Sequence, residues 1–293
     1  MDFVALPGYF SSFEKEDSRA LDSTLVDHNV LVAHDDWKQL YDSIPEDTKD
    51  SQYKLLLLAR HGQGYHNYSM EKYGLQLWDD YWSLLEGDEG GSWLDSRLTD
   101  VGKQQVSNTG ETVLVPIVDQ LGFLPHIFFN SPMRRCLETF AYSWDHVFTK
   151  YPQLVADPET KLIENNVIEF LRENLGSHTC DKRVNHSEAI EEYQNFKTKS
   201  GHIVNWKYEP NYSEPDALWE KEHRETPDEM DIRTRKGLQQ LFQQATTDDK
   251  FLSLTCHEGV INSVLRNLKH PGVKKLQTSK TVALVVKVTN PVA

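Results

Sequence analysis

Short apolar runs of strand length punctuate a largely polar chain. Four of them are clear: KLLLLA from Lys54, HIFFN at 126–130, FLSLTC at 251–256 and VALVVKV at 282–288. Continuous apolar runs between polar residues are typical of strands covered on both faces of a parallel sheet. A further run, KLIENNVIEFLREN from 161, is compatible with either a strand or a helix.

Helical patterns lie between these runs. After FLSLTC, apolar residues recur at helical spacing from Val260 to Leu268. Ser131 followed by Pro132 has the form of a helix start, with a cap residue and then proline at the first helical position. Alternating strands and helices predict an α/β three-layer sandwich, in which helices cover both faces of a mostly parallel central sheet.

The chain reads as a single domain over residues 1–293 with two departures from this rhythm. Residues 1–50 are mixed and polar, with a helical pattern near Trp37, and we expect them to be an N-terminal extension packed on the domain. Residues 184–231 contain three prolines and show no clear sheet strand. We expect this second segment to be an insertion, or lid, over the active face.

Charge and cysteine content narrow the function. The formal net charge of -14 argues against nucleic-acid binding and against docking on an anionic membrane. The N-terminus lacks the features of a signal peptide, and no apolar run approaches membrane-spanning length. Three widely spaced cysteines without a C-x-x-C pair favour free thiols in a reducing compartment. We therefore expect a cytoplasmic protein, with the nucleus also compatible; the sequence predicts no oligomeric state.

Basic side chains follow three of the predicted strands. Arg60 and His61 follow KLLLLA, Arg135 follows HIFFN beside Arg134, and His257 follows FLSLTC. Ligands of open α/β sheets bind beyond the carboxyl ends of the strands, so these groups are expected to converge. Two histidines and two arginines at one rim suit a phosphate dianion. Arg134 is expected to be a surface charge.

Two predicted helix starts reinforce this expectation. The helix beginning at Ser131-Pro132 would aim its first backbone amides at the same place, and His257 comes directly before another helix.

Four motifs in order, RHG with Asn67, SPMRRCLET, LREN-LG and TCHEG, resemble the histidine phosphatase superfamily, which has the phosphoglycerate-mutase-like fold. The nearest resemblance is to fungal phosphomutase or phosphatase proteins, and it extends from about Lys54 to the C-terminus. LTDVGKQQ at 98–105 matches the first helix of that family.

The resemblance implies roles for the residues at the strand ends. His61 matches the nucleophile that becomes phosphohistidine. Arg60 and Arg135 match the phosphate-binding arginines, and His257 matches the second histidine, which binds phosphoryl oxygens. No metal or other cofactor is implied, because arginine and histidine supply the positive charge.

Two further roles follow from the resemblance. Asn67 matches a polar residue of the loop that covers the phosphate. Glu173 looks like the general acid that protonates the leaving oxygen and then activates water. Glu164 and Glu169 lie nearby, and the spacing to Gly176 favours Glu173.

Several residues keep two interpretations. Gln63, Lys182 and Arg183 are candidates for substrate contact, but the last two could equally form salt bridges with the acidic insertion. Glu258 stands where relatives usually have Ser or Gly. It is either an outward-pointing carboxylate favoured at a helix N-terminus or a second carboxylate beside the phosphate.

A metal set of His66 and His178 with the two strand-end histidines matches no standard zinc spacing. We therefore expect no metal site from these residues.

Together these features predict a phosphomonoesterase that hydrolyses small phosphorylated metabolites through a phosphohistidine intermediate. A phosphomutase of the phosphoglycerate mutase type is the second interpretation. A non-catalytic phosphate-binding regulatory protein and a phosphotyrosine-protein phosphatase remain as further alternatives.

Overall fold

A seven-stranded mixed sheet forms the centre of the molecule in a computed structural model that describes residues 1–14, 28–155, 161–273 and 275–289. The strands, with a separate two-stranded ribbon formed by β3 and β4, are β1 Asp2–Leu6, β2 Ser51–Arg60, β3 Gly87–Asp88, β4 Gly91–Ser92, β5 Ile127–Asn130, β6 Leu162–Val167, β7 Ile203–Lys207, β8 Phe251–Cys256 and β9 Thr281–Thr289.

The sheet order is β1-β9-β2-β8-β5-β6-β7. The five strands from β2 to β7 in this order pair in parallel, whereas β9 is antiparallel to both of its neighbours. The mostly parallel sheet of the predicted α/β sandwich is therefore confirmed. The ambiguous run from 161 forms β6, and the carboxyl ends of β2, β8, β5 and β6 share one edge.

Helices cover both faces of the sheet. They are α1 Ser11–Glu14, α2 Trp37–Ser43, α3 Tyr65–Tyr73, α4 Leu75–Asp80, α5 Asp100–Thr109, α6 Val115–Leu121, α7 Arg134–Lys150, α8 His186–Tyr193, α9 Pro227–Gln244 and α10 Glu258–Asn267. Alternate leucines of β2 face opposite ways, as the pleat of a strand requires. Leu56 and Leu58 pack with α9 and α10, and Leu55 and Leu57 pack with α2, α6 and α7.

Two strands of the central sheet do not match any predicted strand. The N-terminal extension contributes β1, an edge strand paired with β9, and residues 15–27 of it lie outside the described residues. The 184–231 segment contains β7, which corrects the expectation that it holds no sheet strand. Both are edge strands whose burial alternates along the chain, so neither shows the continuous apolar run of a central strand.

Ion pairs fasten the 184–231 segment to the rest of the domain. Nη2 of Arg172 lies 2.5 Å from Oδ2 of Asp216, and Nη1 of Arg224 lies 3.0 Å from Oδ2 of Asp181. The indole N–H of Trp219 donates to the His178 carbonyl over 2.9 Å. These contacts hold the segment next to the edge where the strands end. Its movement as a lid remains a prediction.

Candidate active site

The structure brings the strand-end residues together. His61 continues the pairing of β2 with β8, since its N–H donates to the Cys256 carbonyl over 3.0 Å. The imidazole centroids of His61 and His257 are 5.1 Å apart, and both rings are buried. Arg135, at the start of α7, is also buried and donates from Nε to Nδ1 of His257 over 3.2 Å.

Hydrogen bonding fixes the tautomer of His61. Its Nδ1 lies 2.7 Å from the Gly62 carbonyl, which can only accept, so Nδ1 carries the proton. The Gly62 N–H in turn donates to the Thr139 hydroxyl of α7 over 3.1 Å, which anchors the loop. Nε2 is left with its lone pair and makes no hydrogen bond to a described residue. This is the arrangement that a nucleophilic imidazole requires.

Electrostatics keep His61 neutral. Burial lowers its pKa well below the ordinary histidine value, and the positive charges of Arg135 and Arg60 lower it further. The Gly62 hydrogen bond acts in the opposite direction but does not reverse the shift. The unprotonated, nucleophilic form is therefore present at neutral pH.

Both ring nitrogens of His257 are hydrogen-bonded. Because its Nδ1 accepts from Arg135, its Nε2 carries the proton and donates to the Ser131 hydroxyl over 2.8 Å. Ser131 is not the helix cap that the sequence predicts. Its N–H bonds the Thr255 carbonyl, so the residue continues the β5–β8 pairing, and α7 begins three residues later at Arg134.

The N-terminus of α7 already has a carboxylate partner. The Arg134 N–H donates to Oδ1 of Asp95 over 3.0 Å, so this amide does not point at a bound phosphate. Arg134 is also not the surface charge expected from the sequence. Its buried guanidinium donates to the carbonyls of Leu94 and Asp95 and so links α7 to the loop that precedes α5.

Each proposed phosphate-binding arginine is paired with an acid. Nη2 of Arg135 lies 3.0 Å from Oδ1 of Asp181, and its Nη1 donates to the Cys180 carbonyl over 2.7 Å. Nη1 of Arg60 lies 2.5 Å from Oε2 of Glu258. Glu258 therefore does not simply point outward, and it stands beside the strand-end arginine.

Glu173 reaches the same rim from the segment after β6. Its carboxylate accepts from its neighbour Asn174 over 2.9 Å and from the Gly259 N–H over 3.3 Å. Burial raises its pKa, and the negative charge of Asp181 raises it further. A carboxyl group with a raised pKa holds its proton to higher pH, which suits a general acid.

The G-Q-G loop is packed against α5. A Cβ on Gly102 would lie 2.1 Å from the Gln63 carbonyl oxygen, so only glycine permits this approach. The Gln63 side chain accepts from Thr99 over 2.8 Å. The Asn67 side chain accepts from the Gly64 N–H over 2.9 Å, and so it braces the loop from within α3.

His66 is a third histidine at the rim. Its buried ring lies 5.5 Å from that of His61, between centroids, and its Nδ1 has no partner among the described residues. Burial lowers its pKa well below the ordinary value, and Arg135, His61, Arg60 and His178 add to the shift. His66 is thus a neutral imidazole beside the proposed nucleophile.

The two basic residues of the CDKR motif engage the 184–231 segment. Besides its ion pair with Glu169, Arg183 donates to the carbonyls of Ser213 and Pro215 and is buried. Nζ of Lys182 lies 5.1 Å from the centre of the Trp219 ring. These contacts favour the interpretation that both residues hold the segment.

One group of described residues could offer ligands to a metal ion: His178, Cys180 and Asp181, whose ligand atoms lie within 4.8 Å of one another. Asp181, however, forms ion pairs with Arg135 and Arg224, both at 3.0 Å. Two guanidinium groups on one carboxylate oppose the approach of a cation. The arrangement suits a brace for Arg135 better than a metal centre.

Sequence reasoning missed Asp181 and Asp95. Asp181 immediately precedes the Lys182-Arg183 pair, and an acid next to two basic residues has the pattern of a local surface ion pair. Asp95 lies in a stretch without regular structure, where a buried acid has no periodic signal. The apolar pair Trp93-Leu94 directly before it is the available hint.

The chain belongs to the histidine phosphatase superfamily, the phosphoglycerate-mutase-like group. It is 57% identical over 288 residues to the probable phosphoglycerate mutase PMU1 of Saccharomyces cerevisiae, covering 98% of this chain and 97% of that protein. It is 33% identical to a probable phosphoglycerate mutase of Arthroderma benhamiae, covering 81% of this chain and 64% of the relative. No family model matches the chain.

Matches among solved structures have low sequence identity. They include an ecdysone phosphate phosphatase from Bombix mori, with 17% identity, a TM-score of 0.49 and coverage of 78% of this chain and 88% of that one. A phosphoglycerate mutase from Bacillus anthracis has 13% identity, a TM-score of 0.48 and coverage of 83% and 94%. In the part of the chain that the structure describes, no helix combines the length and apolarity needed to cross a membrane.

Proposed function

We propose that this protein is a phosphomonoesterase that acts on small phosphorylated metabolites through a phosphohistidine intermediate. The observation that carries the proposal is the tautomer of His61, whose Nδ1–H is committed to the Gly62 carbonyl while Nε2 keeps its lone pair. Arg60, Arg135 and the neutral His257 surround that nitrogen. The acidic net charge, and the 184–231 segment held beside the strand ends, favour a small substrate over a phosphoprotein.

The proposed reaction has two steps. In the first, Nε2 of His61 attacks phosphorus, the ester P–O bond breaks, and the leaving oxygen takes the proton of the Glu173 carboxyl group. In the second, water attacks phosphorus, gives a proton to the Glu173 carboxylate, and the P–N bond breaks to restore His61. Arg60 and Arg135 bind the phosphoryl oxygens, on which charge is spread in the transition state. The Nε2–H of His257 joins them by exchanging the Ser131 hydroxyl for a phosphoryl oxygen.

The test is phosphate release from a panel of monoesters, including p-nitrophenyl phosphate and 2- and 3-phosphoglycerate, with EDTA present. We expect release that resists EDTA and disappears in His61→Ala. The matched control is His146→Ala, since His146 is a partly exposed histidine of α7 bonded to Ser107. Release that persists in His61→Ala would overturn the proposal.

A phosphomutase is the second candidate, favoured by the name of the 57%-identical yeast relative. It would interconvert the two phosphoglycerates once a bisphosphate primer is added, with little net phosphate release. Binding of phosphate without either reaction would instead support a non-catalytic phosphate-binding protein.

A further inference from the structure

The guanidinium group of Arg60 is occupied by protein atoms. Its Nη1 lies 2.5 Å from Oε2 of Glu258 and also donates to the Leu276 carbonyl. Its Nε–H is buried and has no partner among the described residues. The Nη1 end of Arg60 is therefore paired with the Glu258 carboxylate, whereas its Nε–H remains an unsatisfied donor among the described residues.

Glu258 is placed to reach this arginine and to leave it. It is the first residue of α10, directly after His257, where the helix dipole favours a negative charge. Its side chain is 26% exposed, against 13% for that of Arg60, so the carboxylate has access to solvent. A flexible side chain with a route to water can withdraw when an anion arrives.

The two strand-end arginines are balanced differently. Asp181 forms ion pairs with both Arg135 and Arg224, at 3.0 Å from each, so two guanidinium groups share one carboxylate. Arg60 instead has the Glu258 carboxylate at 2.5 Å. A phosphate that approaches Arg60 therefore meets a positive charge that is already paired.

We propose that Glu258 competes with phosphate for Arg60, and that this competition directs the site toward release of inorganic phosphate. The inference rests on the proposed function and deepens it. The P–N bond to His61 holds the phosphoryl group until water attacks, and each hydrolysis then ends with free phosphate in the site. A carboxylate that competes for Arg60 weakens the binding of this product and hastens its departure.

The test is the dissociation constant of inorganic phosphate, measured by titration calorimetry at one pH. In Glu258→Gln the competing charge is absent, and we expect phosphate to bind about five- to tenfold more tightly, the order expected for a partly exposed charge pair. Glu258→Asp keeps the charge but shortens the side chain, and it should give an intermediate gain. Glu188→Gln, which removes an exposed carboxylate from the first turn of α8, is the matched control and should change nothing.

Tighter binding cannot arise from a damaged fold, so the expected direction is informative in itself. Unchanged or weaker binding in both Glu258 variants, with hydrolysis by the unmodified protein intact, would overturn this inference alone. If the unmodified protein and every variant bind no phosphate and release none from esters, the proposed function fails together with it. The inhibition constant of phosphate during hydrolysis should fall in parallel with the dissociation constant.

Discussion

The carboxylate of Glu173 lies directly against the backbone of Gly259, whose N–H donates to Oε2 over 3.3 Å. A Cβ at position 259 would lie 2.1 Å from Oε1 of the same carboxylate. The glycine in the TCHEG motif therefore leaves the room in which the proposed general acid sits. Two motifs that are 86 residues apart in the chain meet at this contact.

Gly259→Ala is expected to displace the Glu173 carboxylate with little loss of stability, because the clashing atom is the end of a side chain. Turnover of alkyl phosphates should fall at least about tenfold, since general acid catalysis contributes about 100-fold or more. Turnover of p-nitrophenyl phosphate should fall less, because its leaving group needs no proton. Equal losses on both substrates would contradict the assignment, and Glu173→Gln provides the reference pattern.

The pH dependence of the reaction should report Glu173. Burial raises its pKa and Asp181 raises it further, so the acid stays protonated above the ordinary glutamate range. We expect kcat/KM for an alkyl phosphate to decline on the alkaline side as this group loses its proton. Asp181→Asn removes one cause of the shift and should move that decline to lower pH, whatever its effect on the maximal rate. A decline that stays in place, or moves to higher pH, would sink the assignment.

The central strands were predictable from sequence because both of their faces are covered. β2, β5, β8 and β9 each contain the apolar run that burial on two faces demands. The edge strands β1 and β7 were not predictable in this way, since only alternate side chains are buried. Their short alternating patterns resemble those of many surface segments.

In the proposed site, too, some residues were predictable from sequence and others were not. Arg60, His61 and His257 follow apolar strands, so their meeting at one sheet edge could be expected from order alone. The acids that pair with the arginines could not, because Asp181 and Glu258 reach them through tertiary contacts with no fixed spacing. The sequence pattern locates the basic residues, whereas the carboxylates that pair with the two arginines are visible only in the folded structure.

Tertiary contacts also explain why α7 begins at Arg134 and not at the predicted Ser131-Pro132. Ser131-Pro132 has the sequence of a cap, yet pairing with β8 keeps Ser131 extended, and Asp95 satisfies the first helical N–H from a distant loop. Asp95 also accepts from the Val184 N–H over 3.1 Å and is buried. One carboxylate thus joins three segments of the chain.

Asp95→Ala is expected to destabilise the fold by about 3 kcal/mol, because two buried backbone N–H groups lose their acceptor and Arg134 loses one of its two carboxylate neighbours. Urea unfolding at neutral pH measures this directly. Asp100→Asn is the matched control, because Asp100 also stands at a helix start but its side chain is fully exposed. It should leave the unfolding midpoint essentially unchanged. A loss in Asp95→Ala as small as in the control would show that the contacts of Asp95 carry little stability.

The neutral His66 should make stability depend on pH. Its pKa in the folded protein is well below the ordinary value of 6.5, so the unfolded chain takes up a proton first as the pH falls. The contribution of His66 to stability is therefore complete above about pH 6.5 and declines below it, by up to about 1.4 kcal/mol for each pH unit. Glutamine at this position cannot gain a charge, so acidification from pH 7.5 to pH 5.5 should destabilise the unmodified protein more than His66→Gln.

Urea unfolding at several pH values tests this expectation, and the comparison between the two proteins cancels the titration of all other groups. His223→Gln, at an exposed histidine bonded to Glu229, controls for the loss of a histidine as such. Parallel pH profiles for the unmodified protein and His66→Gln would mean that His66 is not held neutral by its surroundings. Free energies of unfolding that converge at low pH would show that His66 is neutral in the folded protein. Burial and the positive charges of Arg135 and Arg60, the arginines proposed to bind phosphate, both disfavour its protonated form.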